Sequence, residues 1–578
     1  MSGPESSQSR FIYDVVIIGA GLYGIQAARY YLDIHPNARL CILESDNVIG
    51  GTWSSKRIYD AFWTQTPVGM AEFSDRPMSP PPEQDQYYGF FRAHYLTKYL
   101  EAYVSDHIYN SQSIRQRIAF NVKVEGVEKT EDRLWTVTCR NGAQIKTAKL
   151  IDATGMTSIP NMPHVPGQEG FRGLLIHHKD FGQSTFLDDP KKKNIAVLGG
   201  AKSAADVVYA AAKAGKNTSW IIRKEGAGPA ALLSAEGRGP YLNSNESFYT
   251  RLVAGFLPNP FNNTSWLKRF LHGTAIGRWL VKRLWDGVDI DNRKKADYKR
   301  AEGREMEFEN LEPDTPVFWQ NDSSGINQRP DFYSTIAKRV HVYRQSIDHL
   351  SADSITLNAN GASASNSRSL PLDVLIMCTG WLPHSQLFPT PVALDLGLPT
   401  AIAESTPEET AGWETLEDGG DRNIFARFPL LRHPPAHFKT RTLYTPCRLY
   451  RAMVPVIDIE DHSIIFLGKL IVGNNFRVAE VQALWAVAYL DGNIQLQRQG
   501  MELEIGETVA WCRRRYLSKG DLGSWFYFDA LDYTDMLLEQ IGLRSHRSRG
   551  WLKDLFGPCK AADLKYLADE YIKAYLPL

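Results

Sequence analysis

The 578-residue chain has little cysteine, no excess of either charge and no long apolar run. Its six cysteines, Cys41, Cys139, Cys378, Cys447, Cys512 and Cys559, are scattered and contain no CxxC pair. That excludes a disulfide framework, a zinc site and a dithiol redox centre, and no metal site is expected. Lys+Arg and Asp+Glu both total 65, so electrostatics give no case for nucleic acid as a partner. No apolar stretch approaches the ~20 residues of a membrane span. Met1 to Arg10 is polar and lacks the apolar core of a secretion signal. A reduced, soluble, cytoplasmic protein is expected. Arg513-Arg514-Arg515 is short and local, and reads as a solvated helix face. At this length, with 43% hydrophobic and 22% charged residues, the chain should form two or three ordinary globular domains.

What is present begins with Tyr-Asp-Val-Val-Ile-Ile-Gly-Ala-Gly-Leu-Tyr-Gly at 13–24. Val15 to Ile18 reads as a buried parallel strand. Gly19, Gly21 and Gly24 follow at GxGxxG spacing, directly before a helix over Ile25 to Leu32. The first glycine permits the tight turn, the second lets backbone approach a pyrophosphate, and the third lets helix and strand pack closely. A second strand, Arg39 to Leu43, ends in Glu44, where an acid would hold a ribose hydroxyl pair. Gly50-Gly51-Thr52-Trp53 is a turn able to pass under a cofactor, with Trp53 covering it. The prolines and turn residues from Phe62 to Pro77 argue for loop.

A helix is expected from His94 to Val104 and strands over Ala119 to Val127 and Leu134 to Cys139, before the strand that ends in Asp152-Ala-Thr154-Gly155. A similar ending recurs at Asp373 to Gly380, which suggests one domain interrupted by another and then resumed. Between them, strand Asn194 to Leu198 leads into Gly199-Gly200-Ala201-Lys202-Ser203-Ala204 and a helix over Ala205 to Ala214. This second loop is degenerate, with Ala201 and Ala204 where glycines usually stand. Its following strand, Ser219 to Ile222, ends in Arg223-Lys224, a basic pair suited to a 2′-phosphate and so to NADPH; two surface cations are the alternative. The aromatics of 226–330 line a substrate entrance or fill the insertion's own core. A membrane-surface helix over Trp266 to Trp285, with Lys268, Arg269, Arg278, Lys282 and Arg283, is a third alternative. Leu387 to Asp421 reads as a Pro- and acid-rich loop. A long helix follows at Ala479 to Tyr489, its N-terminus placed to favour negative charge on a bound cofactor, and the last eighty or so residues read as a helical scaffold.

Between the two loops, Phe171-Arg-Gly-Leu-Leu-Ile-His177-His-Lys-Asp-Phe181 fits the pattern FxGxxxHxxx(Y/F). Together with Gly50-Gly51-Thr52-Trp53, Ser74-Asp75, Ser203 and Asp206, Cys378-Thr379-Gly380-Trp381 and Ala479-Glu480-Val481-Gln482, it resembles the flavin-containing monooxygenases over nearly the whole chain. In style the chain is similar to the filamentous-fungal branch of these class B flavoprotein monooxygenases, which serves secondary metabolism.

The resemblance implies an α/β fold of two Rossmann-like dinucleotide-binding domains, the NADPH domain inserted into the FAD domain, with a helical C-terminal extension. The expected units are 12–170 and 346–500 for FAD, 171–345 for NADPH with an insertion at about 226–330, and 501–578. It also implies that FAD, reduced by NADPH, passes one oxygen atom from O₂ to a lipophilic small molecule through a C4a-hydroperoxyflavin in a water-poor pocket. Cofactor contacts are expected from Gly19, Gly21, Gly24, Glu44, Gly51, Thr52, Trp53, Gln65, Val124, Thr154, Gly155, Gly199, Ala201, Lys202, Ser203, Ala204, Arg223, Lys224, Thr379, Gly380, Glu480 and Gln482. Gln65 stands where the family usually has Asn and reaches one methylene further. His177 is a catalytic group, an organiser of the domain junction or a structural histidine held by backbone. A Baeyer–Villiger enzyme acting on a ketone and a flavin oxidase or reductase without oxygen insertion are the alternative activities; Phe181 stands where the Baeyer–Villiger pattern ends in Trp.

Overall fold

The computed structural model describes residues 12–576, apart from 262–264, 320–323, 359–366, 384–385, 439–441, 458, 495 and 549. Its first large sheet is built around β1 (Ile12–Ile18), whose apolar run is buried from Val15 to Ile18. On one side lie β2 (Leu40–Leu43) and β3 (Ile118–Ala119), and on the other β6 (Gln144–Asp152), all parallel to β1. β4 (Val124–Lys129) and β5 (Trp135–Cys139) extend that edge antiparallel. The expected continuous strand from Ala119 to Val127 is thus broken. Asn121, at φ +59°, turns the chain between β3 and β4. α1 (Leu22–Ile34) begins at Gly21 and α2 (Ala93–Asp106) covers the same domain.

The second sheet is five-stranded and wholly parallel, in the order β7 (Leu174–His177), β11 (Val374–Met377), β8 (Asn194–Leu198), β9 (Asn217–Ile221) and β10 (Val340–Tyr343). α3 (Lys202–Lys213) packs on it through an alanine- and valine-rich face. Here the expected point of resumption is corrected. Val374 pairs with Leu174 and with Ile195, so the second Thr-Gly strand belongs to the second sheet. The chain returns to the first sheet at β12 (Ile464–Phe466), where Leu150 pairs with Ile464. An apolar parallel strand ending in Thr-Gly fits either sheet; only the pairing decides.

Between β9 and β10 the chain forms α4 (Trp266–Gly273) and α5 (Ala275–Ala296). The stretch read as a loop from Leu387 to Asp421 instead contains a helical turn, Thr390–Asp395, and most of α6 (Pro407–Arg427). Pro407 occupies the first turn, where its missing N–H is not needed. Thr406 and Glu409 cap each other, with Glu409 N donating to Thr406 Oγ1 at 3.2 Å and Thr406 N to Glu409 Oε2 at 2.9 Å. The proline and acids are start signals of a helix.

α7 (Asn475–Leu490) is buried at every position from Phe476 to Leu490 and runs through the first domain's core against α1. α8 (Met501–Arg515) lies on α6 so closely that a Cβ on Gly420 would stand 2.7 Å from Glu507 Cα. Arg513 and Arg514 pair with Glu417 and Asp421 of α6, and Arg515 is wholly buried against the rings of Phe318 and Phe528. The arginine triplet is therefore a packing surface, which corrects its reading as a solvated face. All six cysteines are free and buried. Among the described residues no helix is long and apolar enough to cross a membrane.

Candidate active site

The first glycine loop opens onto a cavity of about 780 Å³. Gly19, Gly21, Glu44, Gly51, Val124, Thr154 and Gly155 all line it. Gly19 takes φ +105°, and a Cβ there would stand 2.8 Å from the Ala153 carbonyl oxygen, so the turn admits only glycine. A Cβ on Gly51 would stand 3.4 Å from Gly21 Cα; two bare backbones face each other across the cleft. A Cβ on Gly24 would run into the Gly19 carbonyl, which is the close helix–strand approach expected of the third glycine. Glu44 is locked in place: its Oε2 accepts from Ala20 N and its Oε1 from Asp46 N, both at 2.8 Å. Lys56, Arg57, Lys179 and Lys469 add positive charge around the cavity. A glycine cradle at a helix N-terminus, an anchored acid and this basic rim fit an extended dinucleotide such as FAD.

In the second loop Gly199 takes φ +137° against the Cys378 carbonyl, and Trp220 Nε1 donates to Gly199 O at 2.6 Å. Ala201 caps α3 and Ala204 is buried beneath it. Lys202 does not reach outward. Its Nζ donates to both carboxylate oxygens of Asp206 at 2.6 Å, and burial pushes its ammonium down to about 8. Asp206 also accepts from Arg329 Nη1 at 2.7 Å; burial pushes its carboxyl up, but the two cations hold it below the usual range. This buried cluster carries two positive charges on one negative. Arg223 and Lys224 are exposed just past the end of β9.

The second loop comes close to Gln65 through the strand at 325–327. Ile326 N donates to Gln65 Oε1 at 2.7 Å, which fixes the oxygen there and leaves Nε2 buried with no partner among the described residues. A Cβ on the neighbouring Gly325 would stand 2.6 Å from Lys202 Cδ and 3.1 Å from Gln65 Oε1. Gln328 Nε2 donates to Thr64 O at 2.8 Å and Arg329 donates to Ala61 O, so the segment 61–65 is stitched to 325–329. Gln65 also lines a second cavity of about 310 Å³, walled by Phe248, Tyr249, Trp285, Tyr527 and Phe528 with Gly473 at the start of α7. Asn245 Nδ2 holds the Gln65 carbonyl at 3.0 Å.

Residues 16–233 match the pyridine nucleotide-disulphide oxidoreductase family. Over 97% of its length the chain is 32% identical to an FAD-dependent monooxygenase of Aspergillus nomiae, covering 98% of that protein. An FAD-dependent monooxygenase of Pyrenophora dematioidea is also 32% identical, with 93% of this chain and 99% of the relative covered. The chain belongs to the FAD-dependent monooxygenases. The NADP⁺-bound cyclohexanone monooxygenase of Rhodococcus sp. Phi1 has a similar fold, with a TM-score of 0.58 and 15% identity over 92% of this chain and 98% of that one.

The remaining expected residues of this monooxygenase lie within its own framework. His177 Nδ1 accepts from Lys179 N at 3.2 Å, so Nε2 carries the proton and donates to Gly380 O at 3.0 Å. Burial pushes its imidazole down to about 4, and it packs on Trp381. Both ring nitrogens serve backbone, tying β7 to the turn after β11. Thr379 Oγ1 donates to Asn161 O at 2.5 Å. Glu480 Oε1 accepts from Ser74 N at 2.8 Å and Gln482 Oε1 from Gly468 N at 3.0 Å. Thr52 pairs with Thr157 at 3.1 Å between hydroxyl oxygens, and Trp53 stacks on Phe62. Ser203 is half-buried in the first turn of α3. Sequence reasoning missed Arg329, Asn245 and the aromatic wall. Trp285 belongs to the 226–330 aromatics expected to line an entrance or fill the insertion's core, whereas Tyr527 and Phe528 come from the region expected to be scaffold.

Proposed function

We propose that the chain is an NADPH- and O₂-dependent monooxygenase that places one oxygen atom on a lipophilic small molecule of secondary metabolism, at a heteroatom or activated carbon. FAD lies along the first loop, held by Gly19, Gly21, Glu44, Gly51 and Thr154, and NADPH on the second, its 2′-phosphate on Arg223 and Lys224. The NADPH unit then spans about 171–380 with its insertion at 226–330. The FAD unit comprises 12–170 and the chain from Trp381 to about 500, with 501–578 as an extension that also closes the substrate cavity.

One observation carries this reading: Gln65 touches the strand beside Lys202 of the second loop and lines the apolar cavity. The second nucleotide loop and the apolar cavity thus converge on one side chain. When bound and reduced by NADPH, the flavin supplies the electrons that split O₂, with one oxygen going to substrate and the other to water. The protein's part is to position and to exclude. Ile326 and Asn245 fix Gln65 from both sides, so its Nε2 is a pre-aimed donor. Aromatic walls keep water from the reacting centre. The buried Lys202–Asp206–Arg329 cluster keeps an excess positive charge beside the nicotinamide loop. His177 holds the junction of the two units.

That excess charge also supports a second reading, Baeyer–Villiger oxidation of a ketone, because insertion beside a carbonyl develops negative charge on its oxygen. Anaerobic NADPH reduction of the yellow protein, followed by mixing with oxygenated buffer and a panel of sulfides, amines, phenols and ketones, tests both. A product 16 mass units heavier, formed in step with NADPH use, is expected; if it hydrolyses as an ester, the second reading holds. Loss of all reducing equivalents to hydrogen peroxide across the panel overturns both in favour of an oxidase.

A further inference from the structure

The outer side of α4 and α5 carries large apolar side chains that no described part of the chain covers. Trp266 is 77% exposed, Ile276 66%, Trp279 61% and Ile290 64%, with Phe270 exposed one turn after Trp266. On α5, Ile276, Trp279, Arg283, Gly287, Ile290 and Lys294 fall at i, i+3, i+7, i+11, i+14 and i+18, so they form one stripe along the helix. The buried stripe, Gly277, Val281 and Trp285, faces the protein. α5 is thus apolar on two sides, and only one of them is occupied.

Charge distinguishes this surface from an interface between folded proteins. From Trp266 to Trp285 there are Lys268, Arg269, Arg278, Lys282 and Arg283 and no acid, in a chain whose net charge is zero. Lys268 is turned in to Asp532, and Arg278 donates to Gly273 O at 2.9 Å across the α4–α5 turn. Lys282 pairs with Asp286, one turn further along α5, at 2.6 Å, while Arg283 stands exposed on the same side as Trp279. Interleaved tryptophan and basic residues suit the headgroup layer of an anionic bilayer, where indole rings sit at the polar–apolar boundary and cations meet lipid phosphates.

The same helix borders the apolar cavity. Leu284, Trp285 and Val288 line it, and its polar rim is closed by ion pairs of Arg238 with Asp291 at 2.8 Å and Lys295 with Glu236 at 3.2 Å. Tyr241 at that rim donates its hydroxyl to Phe556 O at 2.7 Å, next to Trp551 and Leu552, which are 73% and 55% exposed. Exposed apolar groups therefore occur on both elements that frame the opening.

We propose that α4 and α5 form a docking face for an anionic membrane surface, seating the cavity opening against lipid so that a lipophilic substrate enters from the bilayer. Docking stands apart from the oxygenation chemistry; only substrate delivery rests on the proposed function. The test is sedimentation of the FAD-loaded full chain with phosphatidylcholine vesicles, with and without phosphatidylglycerol. Binding to the phosphatidylglycerol vesicles is expected, weakened by salt and at least about tenfold lower on phosphatidylcholine alone. Trp279→Glu should cut binding about tenfold, and Arg283→Glu should reduce the preference for phosphatidylglycerol. Both variants should keep their flavin absorbance and their rate of flavin reduction by NADPH in vesicle-free buffer, which excludes misfolding as the cause. A wild-type chain that stays in the supernatant with both vesicle types overturns the proposal. So does a concentration-dependent dimer, dissolved by Trp279→Glu, in a chain that binds no vesicle; the face would then receive a second copy.

Discussion

The Ile326 N–H and the Gln65 carboxamide form a bond of 2.7 Å that joins the segment before Ser74 to the strand beside the second glycine loop. Its consequence is an orphaned donor, Gln65 Nε2, buried with no partner among the described residues. Such a group costs about 1–3 kcal/mol, a cost that folding alone would not retain. The cofactor or substrate is its natural acceptor. Gln65→Glu keeps the acceptor for Ile326 and removes the donor. We expect flavin reduction by NADPH to stay within about twofold of wild type and oxygenated product per NADPH to fall roughly tenfold, about 1.4 kcal/mol, with hydrogen peroxide rising to match. Product and peroxide yields measured together check this; unchanged coupling removes Gln65 from the oxygenation step.

Arg223 and Lys224 stand exposed past β9, and among the described residues neither forms an ion pair. A guanidinium–phosphate contact is worth about 1.5–3 kcal/mol. Arg223→Ala should therefore raise the NADPH Michaelis constant at least about tenfold while leaving that for NADH nearly unchanged. Steady-state kinetics with both nucleotides decides. An unaltered preference moves the 2′-phosphate elsewhere.

Gly24 offers a sharper steric test. A Cβ at this position meets the Gly19 carbonyl, at the turn that shapes the 780 Å³ cavity. Gly24→Ala must push α1 away from β1, and we expect purified protein with a several-fold lower flavin content and a melting temperature lowered by overpacking of about 1–3 kcal/mol. Full flavin retention at unchanged stability would show that the loop tolerates the shift.

The loops were legible because their information is local. A strand, a GxGxxG turn and a helix follow one another between Ile12 and Ile34, and the space and backbone at Gly19 and Gly24 admit no side chain. The His177 pattern was legible in the same way, although its ring proved to serve backbone on both nitrogens. What could not be read depends on partners far along the chain. Arg329 is an isolated arginine until Asp206, 123 residues earlier, is found beside it. Arg515 looks solvent-bound until Phe318 and Phe528 close on it. Val374 to Met377 carries the right pattern for either sheet. The helix from Pro407 was hidden by its own start signals, since proline and acid mark both loops and first turns. The cavity wall joins Tyr249 to Phe528, and no spacing rule relates them.

Glu480 links these architectural points to pH. It is wholly buried, with Tyr30 and Ser74 donating to it, and burial pushes its carboxyl up to about 7 despite Arg29 nearby. The folded state thus prefers the protonated acid. Its contribution is fully present below the ordinary value of 4.5 and is lost as pH rises through 7. Glu480→Gln retains an acceptor for Ser74 N and removes the charge. The variant should melt higher than wild type at pH 8, by an amount approaching about 3 kcal/mol, and the gain should shrink to under about 1 kcal/mol at pH 5 and vanish below 4.5. The buried histidines act in the opposite direction. His177 and His272 are both pushed down to about 4 by burial, so their neutral forms stabilise the fold above 6.5, and that stability drains away as pH falls toward 4. Wild-type melting temperature should therefore fall on the acid side in both proteins, while only the alkaline limb separates them. A Glu480→Gln curve parallel to wild type from pH 5 to 8 would mean that the carboxylate is already ionised and fully compensated by Arg29.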